Sequence, residues 1–461
     1  MKKNVYRLKT FLAIVVFWYL LATICGCSRS IWVHYPTRLS RARLYLTEGR
    51  DNLAEKELNS RLRSDRDKLL YSMESGMVQY LQGDYDKCID EWLVAEKMME
   101  KFDRRPVVSV REIGENIGTL AVNDYLMTYQ GMTYERVLLH IYLALAYIMK
   151  KDPEGARIEL KKADQVQKDA FDRWREKRSE QLGGYPEAGN IEKKMLDVYH
   201  SRYGMDENFT SFSLNPLAYY LSGWLYEKEG YPDEALIDYK RIWDLGIKTQ
   251  SIAHTIEDLN RSTEFSYSAS RRDIDKKYGT LFIIHQQGLI PALEELRIPM
   301  EIRGSFLLMA IPVYPNVSPL KMELRAGTGD TEIETWELVN VYSLARESLK
   351  ERIPGIAVRE LARLILKANA SRQMSRKGGT LASMVTTLYN VISEKADLRS
   401  WLMIPISIQV GQIRLPQGRH IVKLDLVGSP ASTQVEVEIE AGGYHILDVR
   451  SIGSRIVTHI N

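Results

Sequence analysis

Three cysteines in 461 residues leave nothing from which to build a disulfide framework. Cys25 and Cys27 stand two apart near the start, and Cys88 is alone in a helical pattern. A chain of this length can bury a sizeable apolar core and has no need of crosslinks. Histidine is almost as sparse: His34, His140, His200, His254, His285, His420, His445 and His459 never fall at ligand spacing, so the sequence points to no metal. Charge of one sign is also missing. Lys and Arg number 63 against 60 Asp and Glu, with no dominant basic block, which argues against nucleic acid. The apolar run Phe11–Ile24 is too short to span a bilayer comfortably. Catalytic signatures are absent or poor. Gly327-x-Gly329 lacks a third glycine, Arg376-Lys377-Gly378-Gly379-Thr380 lacks phosphate-loop spacing, and Ser318-x-x-Lys321 is a four-residue match common by chance. Neither a Ser/His pattern nor a carboxylate pair stands out, so no cofactor and no enzymatic activity are expected.

What the first thirty residues do contain is ordered. Lys2, Lys3, Arg7 and Lys9 precede the apolar run without an acid among them, the layout of a signal peptide. Ile24-Cys25-Gly26-Cys27 follows, and an aliphatic residue, two small ones and a cysteine resemble the lipobox of bacterial lipoproteins. That resemblance implies cleavage before Cys27 and acylation of its thiol and new amine. Loss of residues 1–26 turns the net charge from +3 to −1. Ser28, where an aspartate would signal inner-membrane retention, implies the outer membrane. Residues 27–37 form a tether with a reach of about 33 Å when extended.

From Ala42 onward one frame recurs. Gly223, Tyr226, Gly230, Ala235 and Tyr239 place a small residue on one helix opposite a small residue on the next, with Gly230–Asp233 as the turn. Ala144, Tyr147, Lys151, Ala156, Leu160 and Ala163 repeat it, as do Gly76, Gln79, Gly83, Cys88, Trp92 and Ala95, and Ala42, Tyr45, Gly49, Ala54 and Leu58. Ala42 to Gly76 is 34 residues and Gly76 to Ala144 is 68, with a degenerate unit expected from Val110. The pattern resembles the tetratricopeptide repeat (TPR), an antiparallel helix pair of 34 residues. Ala235 belongs to the helix contact, and Asp238 is expected on the outer face. Between the third clear unit and the last, a polar helix from Gln165 to Arg178 leads into a Gly/Pro surface loop. Residues 251–277 read as a closing helix.

At Gly279 the periodicity changes. Leu281–Ile284 and Phe306–Ile311 read as buried strands, Leu338–Leu349, Ile356–Ala370 and Leu381–Glu394 as helices. Ile404, Ile406, Ile408 and Val410, then Val422, Leu424 and Leu426, then Val435, Val437 and Ile439 alternate with polar residues. Turns at Leu415–Gly418 and Ala441–Gly443 predict an antiparallel meander. The expected fold is α+β: a TPR solenoid over 38–277, then a mixed α/β domain over 278–461 that ends in the meander.

Asn123-Asp124, Tyr129-x-Gly131, Glu135-Arg136, Tyr142–Leu145, Asn215-Pro216, Asp397-Leu398-Arg399-Ser400-Trp401 and Leu415-Pro416-x-Gly418, together with the lipobox, resemble a largely uncharacterised family of TPR-containing bacterial lipoproteins, from about Cys27 to about Val427. The resemblance implies a fold and a periplasm-facing location at the outer membrane, and brings no catalytic residues. The positions that line a TPR's concave groove are Met73, Met77 and Tyr80, then Ile141, Leu145 and Met149, then Tyr220 and Trp224. So apolar a groove is either filled by this chain's own C-terminal domain or open to a helix, peptide or acyl chain. The expected function is a protein–protein scaffold in envelope assembly, with an unidentified envelope protein as partner and the membrane held through acyl chains. A lipid or peptide carrier is the alternative, and an envelope-polymer hydrolase a more distant one.

Overall fold

The computed structural model describes residues 33–60, 66–104, 128–180, 186–203, 214–262, 277–302, 305–317, 320–329, 331–365, 367–369 and 395–461. Helices fill the N-terminal half and strands dominate the C-terminal half, an α+β arrangement. Four helical hairpins follow the frame: α1 (Tyr35–Thr47) with α2 (Asp51–Asn59), α3 (Lys68–Leu81) with α4 (Tyr85–Asp103), α5 (Thr133–Met149) with α6 (Pro153–Glu180), and α8 (Pro216–Glu229) with α9 (Pro232–Asp244). Between the last two runs α7 (Pro186–Tyr203), a helix where the sequence suggested only a loop. The polar helix expected from Gln165 is not separate, since α6 runs through it unbroken. α10 (Gln250–Ser262) closes the series as expected. The degenerate unit from Val110 and the helix Leu381–Glu394 lie outside the described residues.

Small residues set the hairpin contacts. A β-carbon added at Gly223 would lie 2.9 Å from the Tyr239 ring, so only glycine lets α8 and α9 approach this closely. At the turns, Gly49, Gly83 and Gly230 adopt φ of +73°, +78° and +81°, and Lys151 takes the same left-handed conformation at +59°. A lysine there costs about 1–3 kcal/mol that glycine avoids. Asp238 departs from expectation: it is buried beside Arg241, 3.1 Å away, because α9 lays that side against α8. Ala235→Leu should therefore overpack the contact and cost about 1–3 kcal/mol. The exposed Lys240, substituted by alanine, should change stability by no more than about 0.5 kcal/mol. Urea midpoints of the two variants measure the difference.

The strands form two main sheets. The first has five, in the order β11 (Arg455–Ile460), β10 (Tyr444–Ile452), β1 (Tyr278–Gln287), β7 (Ser407–Pro416) and β6 (Trp336–Val339). The second has four: β5 (Thr331–Glu334), β4 (Leu324–Thr328), β8 (Gly418–Leu426) and β9 (Ser432–Ile439). A separate hairpin joins β2 (Glu294–Ile302) to β3 (Ser305–Val313). The expected meander is only partly present. β8 and β9 pair antiparallel, but the turn at Leu415–Gly418 passes the chain from one sheet to the other, and β10 pairs parallel with β1. The physical reason is burial on both faces. Phe282 and Ile284 of β1 join the helical core while Leu281 and Ile283 join a second core between the sheets. Ile446 and Leu447 of β10 divide the same way. A strand covered on both sides belongs at the centre of a layered stack and not in a meander with one wet face. α11 (Val341–Glu351) begins after β6, which takes residues the sequence assigned to a helix from Leu338, and residues 353–365 form a further helix.

β11 lies across the turns of successive hairpins. Gly453, just before it, sits against Thr47, and Gly49 against the Arg455 side chain, which donates to both Asp51 oxygens at 2.6 and 2.5 Å. Gly83 meets the His459 ring, which also packs at 5.8 Å from the rings of Tyr80 and Tyr85. Among the described residues no helix is long and apolar enough to cross a membrane.

Candidate functional site

The groove is full. Met73, Met77 and Tyr80 on α3, Ile141, Leu145 and Met149 on α5, and Tyr220 and Trp224 on α8 are all buried. They belong to one continuous core with Phe282, Ile284, Trp401–Ile404 and Ile446 of the C-terminal half. Tyr220 and Trp224 meet the Phe282 ring at 6.1 and 6.5 Å, and the Tyr80 hydroxyl donates to Asp448 Oδ2 at 2.6 Å. Of the two readings of the groove, the packing agrees with filling by this chain's own C-terminal half. Methionine and aromatic side chains at these positions pack against the five-stranded sheet of the same chain, which leaves no room for a foreign helix or acyl chain.

Two buried carboxylates hold the filling segment in place. Glu74 of α3 accepts from the Leu402 and Met403 amides at 2.7 and 3.0 Å, and from the Tyr35 hydroxyl at 3.2 Å. Glu135 of α5 accepts from the Trp401 amide at 2.6 Å, the Met132 amide at 2.9 Å and the Tyr129 hydroxyl at 2.5 Å. Residues 401–403 therefore form a strap whose backbone donors end on helix side chains. On the other side Arg450 donates to the Met403 and Gly288 carbonyls at 3.0 and 2.7 Å. Trp401 inserts its ring 5.7 Å from that of Tyr142 and 6.5 Å from that of Trp92. Two residues earlier, Arg399 forks onto Asp397 at 2.8 Å and reaches Asp67 at 3.2 Å, which Arg38 also holds. Burial pushes the Glu74 carboxyl up to about 8, against the pull of the two amides, and raises Glu135 in the same direction. Glu135 and Arg136, adjacent in sequence, part company: Arg136 pairs with Asp103 at 2.8 Å.

A second constellation has the look of catalysis and not its access. His285 Nε2 lies 2.9 Å from Ser451 Oγ, and its Nδ1 3.2 Å from Gln409 Oε1, which accepts from Thr335 at 2.6 Å. Serine, histidine and an orienting acceptor in line would suggest a nucleophile. All of them are buried between the two sheets, and burial lowers His285 to about 4. In this structure the row fills polar space between the layers. Glycines 327 and 329 occupy the β4–β5 hairpin, with Gly329 at φ +57°. Ser318, residues 376–380 and the proposed lipidation site Cys27 lie outside the described residues.

Three elements bring together residues that the sequence holds far apart. Glu96 of α4, His140 of α5 and Glu159 of α6 are buried, and their ligand atoms all lie within 4.8 Å of one another. The sequence reading saw no metal spacing because the members stand 44 and 19 residues apart on three helices. Lys162 Nζ closes the group, 2.6 Å from Glu96 and 2.8 Å from Glu159. Elsewhere a cleft of about 280 Å³ opens at the α5–α6 turn. Ile148, Trp224 and Leu225 line it together with Lys151, Lys228, Glu440 and His445. Comparison with protein-family models, with curated proteins and with solved structures gives no match to this chain.

Proposed function

We propose that this protein is a lipid-anchored lipoprotein of the bacterial outer membrane, facing the periplasm, whose TPR-like hairpins form a frame for the C-terminal domain and which acts as a protein–protein scaffold in envelope assembly. The observation that carries this reading is the filled groove. Helical repeats whose inner face is spent on their own chain share one core with it, an arrangement suited to holding partners at fixed positions and poorly suited to shuttling a ligand. The 34-residue spacing of the hairpins and the Ile24–Cys27 lipobox support the repeat and anchor parts of the reading. Partners then dock on outer faces, where Leu44, Leu53, Tyr231 and Ile237 are exposed on the first and last hairpins. The carrier reading loses its groove; among the described residues a cleft of about 280 Å³ remains, of a size for a small molecule.

Two experiments test it. Cys27→Ala should abolish acylation and leave the chain uncleaved or released from the membrane, read by metabolic labelling with a palmitate analogue and by fractionation. A variant still acylated and cleaved would sink the anchor assignment. Crosslinking and pull-down from native membranes, with the anchor intact, should recover a stable envelope complex through the outer faces of the first and last hairpins. Co-purified small molecule without protein would favour the carrier instead.

A further inference from the structure

We propose that Glu96, His140 and Glu159 form a binding site for a divalent transition metal, zinc by preference, and that Lys162 occupies it in the metal's place. The placement of the donors comes first. His140 Nδ1 stands 2.7 Å from Glu159 Oε2 and 4.0 Å from Glu96 Oε1, so one ion between them reaches all three with small side-chain adjustments. Each donor comes from a different helix of two adjoining hairpins, which fixes their directions better than a loop would. One imidazole nitrogen and two carboxylate oxygens suit zinc, cobalt or manganese, whereas calcium and magnesium favour oxygen alone.

Charge is compatible with this. A metal takes the imidazole in its neutral form, and two carboxylates then balance one divalent ion.

Lys162 is also built to leave. Its side chain is 40% exposed, while those of Glu96, His140 and Glu159 are 9%, 8% and 4% exposed. The ammonium covers the cluster from the solvent side, and its four-carbon stem can swing the charge into water without disturbing a helix. Three protein ligands leave a fourth position, and departure of the lysine opens it to a water molecule. This site is independent of the scaffold reading, since it would join α4, α5 and α6 whatever docks outside.

The test uses the full chain without an affinity tag, freed of metal by a chelator. Cobalt titration should give stoichiometric binding with the visible absorption of a four-coordinate ion, and zinc should raise the melting temperature. Both responses should vanish in His140→Ala and in Glu159→Gln. Lys162→Met removes the competing ammonium and should tighten cobalt binding by about tenfold or more. It should also make the melting temperature depend strongly on zinc, because two carboxylates are then left without a counter-charge. A wild-type chain with neither a cobalt band nor a zinc-dependent shift overturns the site. So does a band that survives His140→Ala, or a Lys162→Met variant whose stability ignores both zinc and chelator.

Discussion

Glu135→Ala is expected to destabilise the protein by about 3–5 kcal/mol, a large share of the stability of about 5–15 kcal/mol that ordinary domains have. The carboxylate accepts from the Trp401 and Met132 amides and from the Tyr129 hydroxyl, all in a site closed to water. Alanine leaves those donors buried and unanswered, and each orphaned group costs about 1–3 kcal/mol. Glutamine should recover only part of the loss, because its amide turns a donor towards groups that are themselves donors. Equilibrium denaturation followed by circular dichroism gives the number, and a loss below about 1 kcal/mol would mean the strap finds other partners. Glu74 adds a dependence on pH. Its carboxyl titrates near 4.5 in an unfolded chain and is pushed up to about 8 by burial in the folded one. Between those values the folded chain holds a proton the unfolded chain has lost. The group's contribution is therefore present in full below about pH 4.5 and is lost as pH rises to about 8. Glu74→Gln should flatten the fall in melting temperature across that window.

The second large effect comes from removing the sheets. A chain ended at Ser262 keeps every hairpin but strips the cover from Met73, Met77, Tyr80, Ile141, Leu145, Tyr220 and Trp224. Exposing each such side chain forfeits about 1.5–3 kcal/mol, so the helical half should self-associate or bind a hydrophobic dye strongly. A soluble, monomeric fragment with no dye response would show that the hairpins can close upon themselves. The intact protein should bind little dye, in contrast to a protein with an open groove.

The hairpins were legible because their signal is local. A small residue on each helix at the contact, and a left-handed residue at the turn, can be read within some thirty residues. Strand alternation was equally local, which is why β8 and β9 stand where the sequence put them. What covers what is not a local property. Yet α3 and α5 carried a clue: every residue of α3 after Lys68 is buried, and α5 is apolar on nearly all sides. A helix without a polar face needs cover on every side, so the groove could have been read as filled. Glu74 and Glu135 within such helices were the complementary sign, since a carboxylate survives there only with donors brought from elsewhere. The backbone amides of residues 401–403 have no signature in side-chain identity. Nor does the Glu96, His140 and Glu159 group, whose members meet only once α4, α5 and α6 are side by side.

The strand that lies across the hairpin turns has a consequence in time. Arg455 meets Asp51 across 404 residues of chain, and Tyr80 meets Asp448 across 368. At about 5–20 residues per second of synthesis, the first hairpins wait roughly 20–80 s for the surfaces that cover them. During that interval two almost wholly apolar helices have no native cover. Contacts this distant along the chain also make closure slow once all the parts exist. The nascent protein therefore spends its early life as a set of loosely held helices, which favours capture by a chaperone.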